Sequence, residues 1–443
     1  MIVGFLKRSL AICSNLKRTH KCKCLSSLST RKGTFTGISQ GGNLVFDVRE
    51  LLSPVIVIES KWQDHVDVEY NAENMADINF NEQVKTTTLE IIGKGRKEDI
   101  VKRKDDQIYL LVTVPELINI SLVGNNVDLT LKNKIHGNVN IKASSGNIII
   151  NKLRGSNIEI IMAKGNVSVM KLMEGNVVIE SQKLKAKMLN GDKVELKCTE
   201  CIHVEAMYAK RSFLRADHDV NIGLVSGETN IYSKYGDINI GGVDGTFNVI
   251  ADEGHINMQI NKSICEVNSR AYSKKKSITV YADPKVKANV YFEVLSQSRA
   301  KVTVVSEGFK PIKDISVCNN IIIGSINKSE HFFQRAQMAY PYLTSGKINT
   351  KGSEDQSLHT ILPLNDDITT LGTSNECQSI TEENATFAFV AYGNIFFESL
   401  SWIEAIRRRH GFNKPDEGTL SNGIGRTASS KRRAQEIVEK SIE

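Results

Sequence analysis

Aromatic side chains make up only 6% of this 443-residue chain, so any sizeable core must lean on isoleucine, valine and leucine. No apolar run approaches the roughly 18 residues that a membrane-spanning helix needs. Acidic residues are missing from the first 32 positions, where eight basic ones stand. There is no P-loop and no dinucleotide fingerprint, and their lack removes the familiar signatures of nucleotide hydrolysis and hydride transfer. The eight cysteines are scattered through the chain. Cys13, Cys22 and Cys24 lie near the start, and Cys198, Cys201, Cys265, Cys318 and Cys377 lie beyond. Such scatter does not read as a secreted disulfide framework.

A short phrase repeats instead: glycine, a polar residue, then apolar–polar–apolar. It reads GNVNI from Gly137, GNIII from Gly146, GNVSV from Gly165, GNVVI from Gly175, GDINI from Gly236 and GHINM from Gly254. Gly227, Gly236, Gly245 and Gly254 follow one another at nine-residue steps. Apolar residues two and four places after the glycine (Val139 and Ile141, Val167 and Val169, Ile238 and Ile240) have the period of a strand with one buried face. Branched side chains suit that surface, and glycine supplies the bend. One unit is therefore a strand and a tight turn. The fold class expected is all-β, a parallel β-solenoid (β-helix-like) built of about 9–10-residue strand–turn units. Two units per coil would give about 18–20 residues and two faces. Units after Gly155 and Gly191 carry their apolar pair one place late (Ile158 and Ile160; Val194 and Leu196), a shift that a bulge can absorb. Between Gly191 and Gly227 the glycines lapse while the apolar pairs persist.

Asparagine recurs with the same period at Asn221, Asn230, Asn239, Asn248 and Asn257. In a two-faced coil these residues form two columns on opposite faces. Stacked amides hydrogen-bond along such columns. The columns read either as ladders that stabilise the stack or as a flat polar face that docks a ligand or partner, and they are the candidate binding face.

The eight basic residues of 1–32 exceed the whole net charge of +7. The remainder is close to neutral, so no global basic surface for nucleic acid is expected. Those 32 residues read as a mitochondrial transit peptide: basic, acid-free and serine-rich, with Ile2, Phe5, Leu6, Leu10, Cys13 and Leu16 on one side of a helix. The expected location is the mitochondrial matrix, a reducing compartment. Further divisions are an N-terminal β-cap or first coils at 40–115, solenoid repeats at 116–325 and a polar irregular insertion at 329–383. Terminal strands and a short capping helix take 384–411, and a disordered tail takes 412–443. Ser401 and Glu404 match a capping box for that helix, and Gly411 can end it.

Three places invite chemistry. Cys198 and Cys201 form a CxxC with His203 close behind, the donor types zinc prefers. A closed site needs four ligands, and no second pair is spaced to supply them, so these read as structural cysteines. Gly241, Gly242, Asp244 and Gly245 approximate a calcium β-roll turn, but the other turns lack its aspartate. Asp217, His218 and Asp219 form a dense acidic–histidine cluster, of the type that general acid–base catalysis on polysaccharides uses. A single turn of that composition reads as a solvated corner. No cofactor is expected.

The run from Val112 to Leu131, VTVPELINISLVGNNVDLTL, and the HGNVNIKASSGNIIINKLRG that follows resemble the bacterial "putative adhesin" β-solenoid repeat domains. With the basic leader and the terminal FESLSWIEAIRRRHGF, the chain also resembles the animal family with sequence similarity 185. The resemblance implies a β-solenoid, mitochondrial residence and no assigned catalytic residues. The functional expectation is a non-enzymatic scaffold or protein-binding module, with an unknown protein as partner, no nucleic acid and no membrane span. An enzyme acting on carbohydrate or through a metal on one coil face is the alternative. A homo-oligomer stacked by edges or faces is a third reading.

Overall fold

The computed structural model describes residues 31–71, 76–95, 108–262, 268–295, 300–311, 321–326, 386–401 and 404. The chain divides into a large unit ending at Leu400 and a second that starts at Ser401.

Seven long strands carry the repeats: Ile118–His136, Val139–Met162, Asn166–Ser181, Lys183–Cys198, Ile202–Ala216, Val220–Ser233 and Ile238–Ala251. Each runs unbroken through a corner, and successive strands pair in parallel. Side chains that hydrogen-bond from coil to coil stand 19 residues apart near the start and 18 apart further on. One coil thus holds two nine-residue units, and the solenoid has two faces. The alternation read from sequence is the alternation of burial. Val139, Ile141, Val167, Val169, Val177, Ile179, Ile238, Ile240, Phe247, Val249, Ile256 and Met258 are all at most 2% exposed. Their burial is the main stabilising term, roughly 1.5–3 kcal/mol for each side chain.

Two local irregularities fit the sequence. The late apolar pairs at Ile158 and Val194 are accommodated by register shifts in Asn166–Ser181, between Val169 and Leu172 and around Gly175. Met170, at the first of these, is turned out and 58% exposed. Where the glycines lapse the coil simply continues, with Ala209 pairing against Gly191 at the corner.

Alternate glycines of the nine-residue period share one corner. Gly137, Gly155, Gly175 and Gly191 stack there, and a Cβ on Gly175 would lie 1.8 Å from the Gly155 carbonyl oxygen. Gly175 also has φ near +143°, where an L side chain is strained. The glycine is thus required twice over, by close approach and by backbone conformation.

Both ends break the rule that neighbours in space are neighbours in sequence. At the start, strands Gly42–Val48 and Val55–Lys61 form a coil. It lies between the coil of Thr88–Gly95 with Tyr109–Pro115 and the coil of Ile118–His136. At the far end, Thr386–Ala391 and Ile395–Ser399 pair on one side with Asn268–Ser273 and Ile278–Ala282. On the other side they pair with Ala288–Val294 and Val302–Val305. The strands expected to terminate the chain's fold are therefore flanked on both sides.

Antiparallel strands occur only toward these ends among the described residues. Arg31–Phe35 pairs with Val66–Asn71, which pairs with Tyr109–Pro115, and Ala76–Gln83 pairs with Thr88–Gly95. Phe80 packs against Phe35 and Tyr70 at centroid separations of 5.2 and 5.6 Å, joining the two ribbons over the outermost coil. Arg31 and Lys32, assigned to the leader from sequence, already belong to the first strand. At the other end Ile321–Ile326 pairs antiparallel with Ala288–Val294 and Phe309–Pro311. Such ribbons occupy edges that would otherwise recruit another chain.

In the second unit, Ser401 and Glu404 make the anticipated capping box. The Ser401 hydroxyl and N–H donate to Glu404 Oε2 at 2.9 and 3.2 Å, and the Glu404 N–H donates to Ser401 Oγ at 3.4 Å. The rest of the expected helix, the insertion at 329–383, the tail at 412–443 and leader residues 1–30 lie outside the described residues.

The glycine corner gives a direct test. Replacing Gly175 by alanine is expected to cost about 2 kcal/mol or more, from strain and from the clash with the carbonyl below. Replacing Ala209 by glycine at the same corner costs about 1 kcal/mol or less. Urea titration of the two variants measures the difference.

Candidate functional site

The asparagine columns form as the period requires. On one face Asn239 Nδ2 donates to Asn221 Oδ1 at 3.1 Å, and Asn257 Nδ2 donates to Asn239 Oδ1 at 3.0 Å. On the other face Asn248 Nδ2 donates to Asn230 Oδ1 at 3.2 Å. Arg270 then takes the next place, with Nε donating to Asn248 Oδ1 at 2.9 Å. Asn239 and Asn248, in the middle of their columns, each give one hydrogen and receive one, so the columns fix the relative height of successive coils as well as decorating them. Burial lowers the pKa of the half-buried Arg270 guanidinium.

The face that carries Asn230 and Asn248 holds more. Register places Phe213, Asn230, Asn248 and Arg270 in one outward row. Arg215, Tyr232, Ile250 and Tyr272 form the row beside it. The Arg215 guanidinium lies over the Tyr232 ring, 5.4 Å from its centroid. Tyr232 Oη donates to Asp252 Oδ2 at 2.8 Å. Burial first, and then this carboxylate, push the phenol up to about 12. Aromatic and arginine side chains held this way lose little freedom on contact with a partner. Sequence reasoning singled out only the asparagines. The signal for the rest was present, because Tyr232 and Ile250 stand two places after Asn230 and Asn248, on the same outward parity.

The first column has plainer company. Lys185, His203 and Asn221 occupy successive outward places. Loss of solvation and the Lys185 charge lower the pKa of His203.

Cys198, Cys201 and His203 are not brought together as metal ligands: among the described residues no three His, Cys, Asp or Glu side chains are grouped to hold a metal. Cys198 is a core residue, 5% exposed. It stands in a column of small inward residues with Ser181, Ala216, Ser233 and Ala251, and its sulfur lies 3.5 Å from Ser181 Oγ. Burial pushes its thiol to about 11. Cys201 sits at the corner, and burial raises its thiol too. Thiols held protonated are poor zinc ligands and poor nucleophiles.

Asp217, His218 and Asp219 form a corner. Asp219 Oδ1 accepts the Asp237 N–H at 2.9 Å, and Asp237 Oδ1 accepts the His255 N–H at 2.7 Å. The His218 ring packs on Tyr235 at 5.9 Å. These carboxylates tie one coil to the next. At the calcium-like turn, Gly242 leaves room for the Asn261 amide, which would lie 2.4 Å from an added Cβ.

The column of bare glycines leaves an open groove of about 710 Å³, lined among others by Glu174, Asn190, Asp192, Tyr208 and Lys210. Its carboxylates are engaged: Arg154 Nε is 2.6 Å from Glu174, and Lys210 Nζ is 2.8 Å from Asp192. Sequence reasoning did not find this groove, although glycines two periods apart always fall on one corner. Among the described residues no helix is long and apolar enough to cross a membrane.

A family model described as Toastrack DUF4097 matches residues 52–307. Among solved structures, a "putative adhesin" from Parabacteroides distasonis is similar at 11% identity and a TM-score of 0.31, over 58% of this chain and 91% of that one. A second, from Bacteroides fragilis, is 15% identical with a TM-score of 0.28, over 57% and 97% of the two chains. A third, from Parabacteroides merdae, is 14% identical with a TM-score of 0.28, over 58% and 90%. No curated protein matches the chain.

Two outcomes follow from the geometry. Asn239→Asp removes the donor to Asn221 and sets a carboxylate against its oxygen, so a loss of about 1–2 kcal/mol is expected in urea titration. At pH 8 Cys198 should react with a maleimide at least about 100-fold more slowly in the folded protein than after unfolding. Mass spectrometry of the peptide bearing it gives the rate.

Proposed function

We propose, from the fact that this chain belongs to the Toastrack DUF4097 family, that it works as a non-enzymatic scaffold or protein-binding module. The observation that carries the reading is the outward double row of Phe213, Arg215, Tyr232, Ile250 and Arg270 around the Asn230–Asn248 ladder. Aromatic and arginine side chains are the types enriched at the centres of protein interfaces. Here they sit on a sheet whose spacing is set before any partner arrives, so binding need not supply the ordering. The basic, acid-free leader supports residence in the mitochondrial matrix. Together with the terminal segment FESLSWIEAIRRRHGF, it also supports placing the chain with the animal family with sequence similarity 185.

The competing reading is an enzyme acting on carbohydrate through the glycine-corner groove. It has the carboxylates of Glu174 and Asp192 in its favour, but both are engaged by cations of neighbouring coils. Crosslinking in intact mitochondria decides between them. A binding module yields a recurrent protein partner, and Tyr232→Ala or Phe213→Ala lowers its recovery at least about tenfold while the variant keeps its melting temperature. Lys210→Ala in the groove leaves recovery unchanged. Recovery indifferent to the first two variants, or a chain found only outside mitochondria, contradicts the proposal.

A further inference from the structure

The coil formed by Thr386–Ala391 and Ile395–Ser399 is held as a ligand is held. Its first strand lies between Asn268–Ser273 and Ala288–Val294, paired in parallel with both. Its second lies between Ile278–Ala282 and Val302–Val305, again paired with both. The flanking strands at 268–282 and 288–305 are separated by only a few residues in sequence. The coil between them arrives from beyond residue 385, after 59 residues that follow Ile326. Chain order would place 288–305 directly on 268–282, yet a whole coil stands between them.

The slot selects its occupant by shape. Phe387, Phe389 and Phe397 are at most 1% exposed. Register sets Phe389 over Ala271, whose small side chain leaves a hollow. Phe247 of the coil below reaches Phe387 and Phe389 across it, at 5.7 and 6.3 Å. Phe292, on the other side, stacks on Phe389 at 5.5 Å and meets Phe397 at 5.5 Å. The long repeat strands below are filled chiefly by branched aliphatic residues. This slot alone, among the described coils, is filled by a phenylalanine cluster.

We propose that the slot is a strand-accepting site for an extended Phe-x-Phe segment with a tight turn and a second strand, and that residues 386–399 are its resident ligand. The site recognises the segment through two rows of main-chain hydrogen bonds and three phenyl pockets, the chemistry of strand addition, applied on both edges at once. The segment's covalent tie supplies proximity but no part of the recognition. The same segment offered from outside the chain therefore fits the slot once the resident is weakened. The inference stands apart from the outward face proposed for the protein partner.

Full-length protein carrying Phe389→Ala tests this. Removing a fully buried phenyl weakens the resident by roughly two to four orders of magnitude. A synthetic peptide of residues 384–400 should then bind the variant and raise its melting temperature by about 2–4 °C at saturation. A peptide with Phe387, Phe389 and Phe397 all replaced by alanine should do neither. Ile160→Ala, a cavity in a mid-stack coil, should gain nothing from the native peptide. Phe389→Leu serves if the alanine variant does not fold. Rescue of Ile160→Ala to the same extent, equal action by the alanine peptide, or no effect on any Phe389 variant overturns the proposal.

Discussion

A nine-residue strand-and-turn unit buries one aliphatic stripe and has nothing of its own to cover it. The opposite leg of the same coil supplies one cover, and the coils on either side supply the others. Stability in this protein is therefore a property of contacts between coils, not of any coil alone. That dependence explains the severity of the corner geometry. Coils a sheet spacing apart can be tied by hydrogen bonds only if the chain turns within two or three residues. The turn then brings the carbonyl of one coil against the Cα of the next. Gly175 over Gly155, and Gly191 over Gly175, are two of the places where an added Cβ would strike the carbonyl of the neighbouring coil.

Main-chain pairing and apolar packing leave coil-to-coil register underdetermined, since one valine resembles another. The polar ladders remove the ambiguity. Asn221–Asn239–Asn257 and Asn230–Asn248 join successive coils at one height. Asp219 and Asp237 do the same at a corner by accepting N–H groups from the coil above. Small inward serines act from inside, as where Ser233 Oγ lies 2.7 Å from the His218 carbonyl of the coil below and 2.8 Å from the Gly236 carbonyl, its one hydroxyl hydrogen serving one or the other. A surface locked in this way holds Phe213, Tyr232 and Arg215 in fixed relation, and a binding face draws its advantage from that rigidity.

The period made the body of the fold legible, because each unit states its inward pair and its corner in residue types. Val177 and Ile179, or Ile238 and Ile240, could be placed in the core from sequence alone. The asparagine columns were legible for the same reason. The remainder of the outward face shares the asparagines' parity, but Phe213, Arg215, Tyr232 and Ile250 repeat no residue type from coil to coil, so only parity marked them. Cys198 was read as structural from its missing partners. The structure supplies the better reason, since it fills a place in a column of serine and alanine. The intercalated coils at the two ends could not be read. Periodicity says that a strand wants a parallel neighbour, and it does not say which one. Asn248 finds Arg270 only 22 residues on, whereas Arg270 finds Ala388 more than a hundred residues away.

That last step changes how the end of the solenoid comes to exist. Within the body, each coil stacks on the one made just before it, so closure costs little chain entropy and order can spread from neighbour to neighbour. At the far end the local route is blocked. Ala288–Val294 and Val302–Val305 take their parallel partners from 386–399, so they join the stack only when that distant segment is present. Contacts across so large a separation form late in folding. The large phenyl rings compensate, since Phe387, Phe389 and Phe397 bury more apolar surface than the valines they replace in the pattern. The far end is thus held by a few large contacts of long range, and the body by many small ones of short range.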